Sequence, residues 1–186
     1  MSILSISKMV FSSQDGWLEL EKTRPSAGKL FATLCLPLSL LPPALLFHAG
    51  SQYGDVFLEG SGDKPWAMIA VAFFLAEWLT LLGMGWFIRQ FAAGQQVTIS
   101  ARDAYLLAGI APIPLWLSSL GLLIPSLPVN AGLSLLALAA SCSLIYHGVY
   151  ALCHLHEDVT AAAITQAVIG AGLAAWSMLL ILIVAL

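Results

Sequence analysis

Five long apolar runs dominate the chain and restrict the folds that it can adopt. A helix that crosses a membrane needs about 20 mostly apolar residues. Runs of about this length occupy residues 30–48, 66–87, 104–124, 129–155 and 161–186. A membrane β-barrel would instead alternate apolar and polar residues, and these runs do not alternate. The sequence therefore predicts an all-α membrane domain with five transmembrane helices, preceded by an N-terminal segment, residues 1–29.

The composition also indicates that the chain is surrounded partly by lipid. Sixty per cent of the 186 residues are apolar and only 9 % are charged, whereas soluble proteins are about 25 % charged. We therefore expect the lipid bilayer to be the main partner. The net charge of −3 provides no basic surface for nucleic acid, and no nucleic-acid partner is expected.

Lysine and arginine predict the orientation. Four of them precede the first run and Arg89 and Arg102 lie between the second and third, whereas the opposite side has only Lys64. Cytoplasmic loops are enriched in these residues. We therefore expect a cytoplasmic N-terminus and, with five spans, a C-terminus outside.

The segment 1–29 mixes apolar and polar residues, and it allows two interpretations. One is a short amphipathic helix in the membrane interface with Trp17 as its anchor. The other is a loosely ordered tail. In either case this cytoplasmic segment is the expected contact for a protein partner.

Glu77 and His147 are polar residues inside apolar runs. An ionisable side chain at that depth is costly and is a candidate for function, as a proton carrier or as a ligand of an ion or substrate. The alternative for Glu77 is a protonated carboxyl that donates one structural hydrogen bond. His147 shares a face with small residues at a spacing of four, which also fits a packed helix interface.

A short polar cluster ends the fourth run. His154, His156 and Glu157 are residue types that bind transition metals. Only His154 and Glu157 would share a face of a continuing helix, so a solvated helix end is the preferred interpretation. We expect neither a bound metal nor another cofactor.

Prolines interrupt the first and third runs, among them Pro112 and Pro114. Each proline removes a backbone donor and clashes with the preceding turn, so these helices should kink or open. Such kinks border cavities in transporters but also occur in simple bundles. The chain lacks G-x-S-x-G, H-E-x-x-H and phosphate-binding glycine motifs, and we therefore predict a protein that is not an enzyme.

Two short motifs resemble the Yip1 domain family, in particular its small bacterial inner-membrane members. Gly109 and Pro114 match the Gly-Tyr and proline pattern of the third span, although Ile110 stands where the tyrosine is usual. Tyr146 and Gly148 match the pattern of the fourth span. The resemblance implies five spans, a cytoplasmic N-terminus and a multi-pass protein of the inner membrane.

The residues leave two functional classes open. The resemblance and the missing catalytic motifs favour a non-catalytic membrane organiser or adaptor. Glu77, His147 and the proline-kinked spans favour a small transporter, channel or proton-coupled permease. The distinguishing feature is whether Glu77 faces a cavity shared with Pro112, Pro114 or His147. The sequence also leaves open whether copies of the chain associate.

Overall fold

The computed structural model describes residue 17 and residues 27–57, 59–153 and 158–186. Five helices in these ranges are long and apolar enough to cross a membrane, which confirms the predicted fold class. They are Gly28–Phe57, Trp66–Gly94, Ala101–Leu123, Leu127–Leu152 and Val159–Ala185. At 1.5 Å per residue even the shortest reaches about 34 Å, more than the roughly 30 Å of the hydrocarbon core. These helices are called the first to fifth spans below.

The first two spans are longer than the apolar runs. The first continues past His48 to Phe57, and the second continues past Phe87 to Gly94. Both extensions contain polar residues, such as Gln52 and Arg89. A helix ends where its backbone hydrogen bonding ends, and hydropathy marks only the part suited to lipid.

The first span is interrupted around its prolines, as predicted. It consists of a short α-helical start, a π-helical turn at Phe31–Cys35, the α-helix Leu36–Ser39 and the α-helix Leu41–Phe57. The wide turn comes just before Pro37, and the next break, at Leu40, comes just before two further prolines. Because proline cannot donate to the preceding turn, the helix widens or stops there.

The third span is also interrupted at its predicted position. The α-helix Ala101–Ile110 ends just before Pro112, and a second helix, Ile113–Ser118, begins directly after it. A 3₁₀ turn, Ser119–Leu123, completes the span. A tight hairpin then leads into the fourth span at Leu127.

The second span organises the bundle. It packs against the first, third and fifth spans, while the fourth packs against the third and fifth. The largest apolar core is built mainly from the second, third and fourth spans, and includes Ile88, Leu107, Ile110, Val149 and Ile164. A smaller core of Leu46, Trp66 and Ile69 lies between the first and second spans.

Trp17 belongs to the larger core. Its side chain is fully buried, and its ring lies beside Gly148 of the fourth span. The interpretation of Trp17 as an anchor in the membrane interface is therefore wrong, because protein encloses the ring. The rest of the segment before residue 27 lies outside the described residues.

Two hydrogen-bonded contacts join separate parts of the chain at one end of the bundle. Lys64, in the loop before the second span, donates to the backbone oxygen of Val184 at 2.8 Å. The Tyr53 hydroxyl, near the end of the first span, donates to the backbone oxygen of Leu122 in the third. A cation at carbonyls near a helix C-terminus is electrostatically favourable. The loop before the second span therefore lies at the same end as the C-terminus.

Candidate functional site: a cavity around Glu77

A cavity of about 180 Å³ lies inside the bundle, and all five spans contribute to its wall. Its lining is mostly aliphatic and aromatic. The second span contributes a face with helical spacing that includes Glu77, Leu81, Met84 and Ile88. A carboxyl group therefore lies in a mostly apolar cavity wall.

Glu77 is deeply enclosed. It lies in the central part of the Trp66–Gly94 helix and is only 7 % exposed. Its carboxyl group lies close to the side chain of Trp116. The second carboxyl oxygen, Oε2, has no hydrogen-bond partner among the described residues. A buried polar atom without a partner costs about 1–3 kcal/mol, so the site gains from any molecule that donates to Oε2.

Trp116 owes its place to the break in the third span. The helix restarts at Ile113, directly after Pro112, and the Trp116 amide donates to the Pro112 carbonyl at 3.0 Å. Trp116 is 3 % exposed and lines the cavity together with Pro112. The sequence analysis missed Trp116, and its only signal was a tryptophan one turn after a mid-span proline.

Ser141 is the second unpartnered polar group of the cavity. It comes from the fourth span and is 4 % exposed, and its hydroxyl has no hydrogen-bond partner among the described residues. Thr80 and Cys142 also line the wall. These polar groups come from the middle parts of their helices, so they lie at a similar depth in the bundle.

The residue beside Glu77 fixes the second span against the first. The Trp78 indole donates to the hydroxyl of Ser39 at 3.1 Å, and Ser39 donates in turn to the Leu36 carbonyl at 3.1 Å. Ser39 is fully buried. This contact helps to set the rotation of the second span and therefore the direction of Glu77.

The structure brings together only some of the predicted site residues. Pro112 shares the cavity with Glu77, whereas Pro114 is buried but is not part of the lining. His147 is half-buried and also lies outside the lining, with Nδ1 2.8 Å from the Ser143 carbonyl one turn earlier in its own helix. The cavity therefore contains Glu77 and Pro112, without Pro114 and His147.

The two motif glycines lie where helices approach closely. A Cβ atom at Gly109 would stand 2.9 Å from the sulfur of Cys35, and one at Gly148 would stand 2.6 Å from Cδ1 of Leu107. Real Cβ contacts are essentially never this short. Tyr146 is 47 % exposed and stacks at 4.9 Å between ring centroids with Tyr150. In this chain the motif glycines serve helix packing rather than the cavity wall.

The predicted metal candidates His154, His156 and Glu157 lie outside the described residues. Within the residues that are described, no group of three or more metal-ligating side chains occurs.

One comparison with known proteins identifies the family. The family model described as the Yip1 domain matches residues 7–181, nearly the whole chain, and the chain therefore belongs to the Yip1 domain family. The resemblance seen at Gly109, Pro114, Tyr146 and Gly148 is thus confirmed at the level of the family. No curated protein and no solved structure matches the chain.

Proposed function

We propose that this Yip1 domain protein is a non-catalytic organiser or adaptor of a bacterial inner membrane. Its cytoplasmic N-terminal segment contacts a protein partner, and its membrane domain holds that segment in place. The family match and the five apolar helices support an integral, multi-pass membrane protein. The family is not known for enzymatic activity.

The observation that carries the proposal is the distribution of polar groups around the cavity. Its polar side chains gather at the membrane centre, at Glu77, Thr80 and Ser141. Along the second span the lining is apolar on both sides of Glu77, with Phe73 one turn before it and Ile88 three turns after it. Ions and polar solutes need polar groups or water along their whole path. Polar groups confined to the centre, between apolar walls, do not form such a path, which favours an organiser over a channel.

The position of Trp17 supports the role of the N-terminal segment. A fully buried tryptophan ties this segment to the fourth span at Gly148. A partner that binds residues near Trp17 would therefore be held firmly against the membrane domain. The cytoplasmic location rests on the lysines and arginines within this segment and on those between the second and third apolar runs.

Site-specific photo-crosslinking in living cells tests the adaptor role. A photoreactive amino acid at Phe11 should give one discrete adduct with another protein, because Phe11 precedes the docked Trp17. The matched control is Val56, which is 55 % exposed and belongs to the end that we place outside. If Phe11 yields no adduct, or the same products as Val56, the N-terminal partner contact is refuted.

A proton-coupled transporter is the second candidate, and one observation favours it. Glu77 faces a cavity that it shares with Pro112 at a helix break, as intramembrane carriers require. Proteoliposomes that contain the protein would then dissipate an imposed pH gradient, and Glu77→Gln would stop the leak. Liposomes with the wild-type protein that are as tight as empty ones would exclude proton movement by this route.

Self-association is an additional part of the proposal. The fifth span leaves Gly170 and Ala174 exposed, and small residues on a helix surface allow a second helix to approach closely. Counting photobleaching steps of single labelled proteins in nanodiscs measures the copy number. If every nanodisc shows a single bleaching step, the protein is a monomer and self-association is refuted.

A further inference from the structure

We infer that the central cavity is a binding site for a small apolar molecule that carries one protonated amine. The proposed ligand class is a primary ammonium group attached to a single ring or a short hydrocarbon. This inference concerns what fills the membrane domain, and it does not depend on the adaptor role of the N-terminal segment.

The volume sets the size of the ligand. A dry apolar cavity of about 150 Å³ in a protein holds one benzene molecule. The present cavity, at about 180 Å³, exceeds that by roughly the space of one or two further heavy atoms. A benzene ring with a one-carbon ammonium arm has this size, whereas a phospholipid or a fused polycyclic molecule is too large.

The unpartnered acceptors select the head group. Glu77 Oε2 and the Ser141 hydroxyl both line the cavity, both residues are more than nine-tenths buried, and neither atom has a partner among the described residues. A primary ammonium group offers three N–H donors. Such a group has enough N–H donors for both Oε2 and the Ser141 hydroxyl, neither of which has a partner among the described residues.

Charge selects the cation over a neutral donor. Among the described lining residues, Glu77 is the only carboxylic acid, and lysine, arginine and histidine are absent. The bound ammonium group favours the ionised form of Glu77, because a buried carboxylate is stabilised by an opposite charge directly beside it. A proton that the carboxyl group carries before binding is then released to the solvent. An alcohol of the same shape can donate one hydrogen bond but supplies no counter-charge, so it should bind more weakly.

Aromatic side chains suit the rest of such a molecule. Phe73, Trp116 and Trp176 line the same cavity. Aromatic rings attract cations at their faces and also pack against apolar rings. The cavity reaches the lipid-facing surface at Leu173, a lining residue that is 38 % exposed, and amphiphilic amines concentrate in the bilayer next to such an opening.

The test compares benzylamine with benzyl alcohol, which has nearly the same shape without the charge. Saturation-transfer NMR on the full chain in nanodiscs, with empty nanodiscs subtracted, gives both affinities at neutral pH. We expect benzylamine to bind at least tenfold more tightly. Glu77→Gln should remove that preference and leave benzyl alcohol almost unchanged. Glu59→Gln, at an exposed acidic residue in the loop before the second span, is the matched control and should change neither affinity.

A second variant keeps the test decisive if Glu77→Gln does not fold. Ala111→Leu fills the cavity from the third span and keeps the carboxyl group, so both ligands should be lost. The inference is overturned by any of three results: no saturable benzylamine binding above empty nanodiscs, equal affinity for the alcohol, or unchanged amine binding in either variant.

Discussion

The contact between Trp17 and Gly148 leads to a prediction that tests the docking of the N-terminal segment. An alanine at position 148 places a Cβ atom 2.7 Å from Cζ2 of Trp17 and 2.6 Å from Cδ1 of Leu107. Both neighbours are fully buried, so neither can move without disturbing the packed core. We expect Gly148→Ala to destabilise the protein.

The magnitude follows from two opposing effects. Replacing glycine by alanine within a helix stabilises it by about 1 kcal/mol, whereas overpacking a core costs about 1–3 kcal/mol. Gly132→Ala is the matched control, because Gly132 belongs to the same helix and no atom lies within 4 Å of the new Cβ position. Both variants gain the same helix stabilisation, so the difference between their free energies of unfolding isolates the contact. Gly148→Ala should be about 1–3 kcal/mol less stable than Gly132→Ala.

Combining the substitution with removal of Trp17 identifies the partner in the contact. Trp17→Ala alone should cost about 3–5 kcal/mol, as expected for a buried tryptophan. In the double variant the new Cβ atom at position 148 has more room. The combined loss should therefore be smaller than the sum of the single losses by about 1–2 kcal/mol, within the usual range for residues in contact.

Reversible unfolding of the purified protein in mixed micelles with increasing SDS measures these free energies. Equal stability of Gly148→Ala and Gly132→Ala would show that the space at Gly148 is not closely filled. Strictly additive losses in the double variant would show that Trp17 does not pack on Gly148. Either result would also remove the structural support for a docked N-terminal segment.

Two further predictions concern the bundle itself. Ser39→Ala should cost about 1 kcal/mol in the same unfolding assay, because the half-buried Trp78 indole loses its acceptor. Ser51→Ala, at an exposed residue that bonds within its own helix, should stay within about 0.5 kcal/mol. Equal losses would show that the Ser39 contact does not stabilise the bundle. The orientation can be tested with a membrane-impermeant maleimide. Val56→Cys should react on intact cells, whereas Gln96→Cys should react only after permeabilisation. The reverse pattern would refute the cytoplasmic N-terminus.

The sequence predicted the backbone of this membrane domain well, because the relevant signals are local. Twenty apolar residues make a span wherever they occur, and a proline interrupts the hydrogen bonds of its own helix. The breaks beside Pro37 and Pro112 could therefore be predicted without knowledge of their neighbours. The extension of the first span to Phe57 could not be predicted from hydropathy, since polar residues can continue a helix beyond the lipid.

The surroundings of Glu77 could not be predicted, because the helices lie in lipid and not in water. In a water-soluble helix the apolar face points to the core, so the pattern of residues reveals the inward direction. The second span is apolar on nearly all sides, because lipid accepts the same side chains as the core does. Nothing in the sequence therefore fixes the rotation of Glu77 toward Trp116 and Ser141, which come from other spans.

Because lipid and the protein core accept the same apolar side chains, the unpartnered polar atoms say more about a ligand than the apolar lining does. Any helix bundle in lipid leaves apolar gaps between its spans, and such gaps are neutral toward most apolar molecules. Glu77 Oε2 and the Ser141 hydroxyl are different, because each costs free energy until a donor or acceptor reaches it. A bundle that needed only to be stable would gain from leucine and alanine at these two positions. Because both atoms line the cavity, this polar pair is the reason to expect a ligand there, and a comparison of amine with alcohol binding tests that expectation directly.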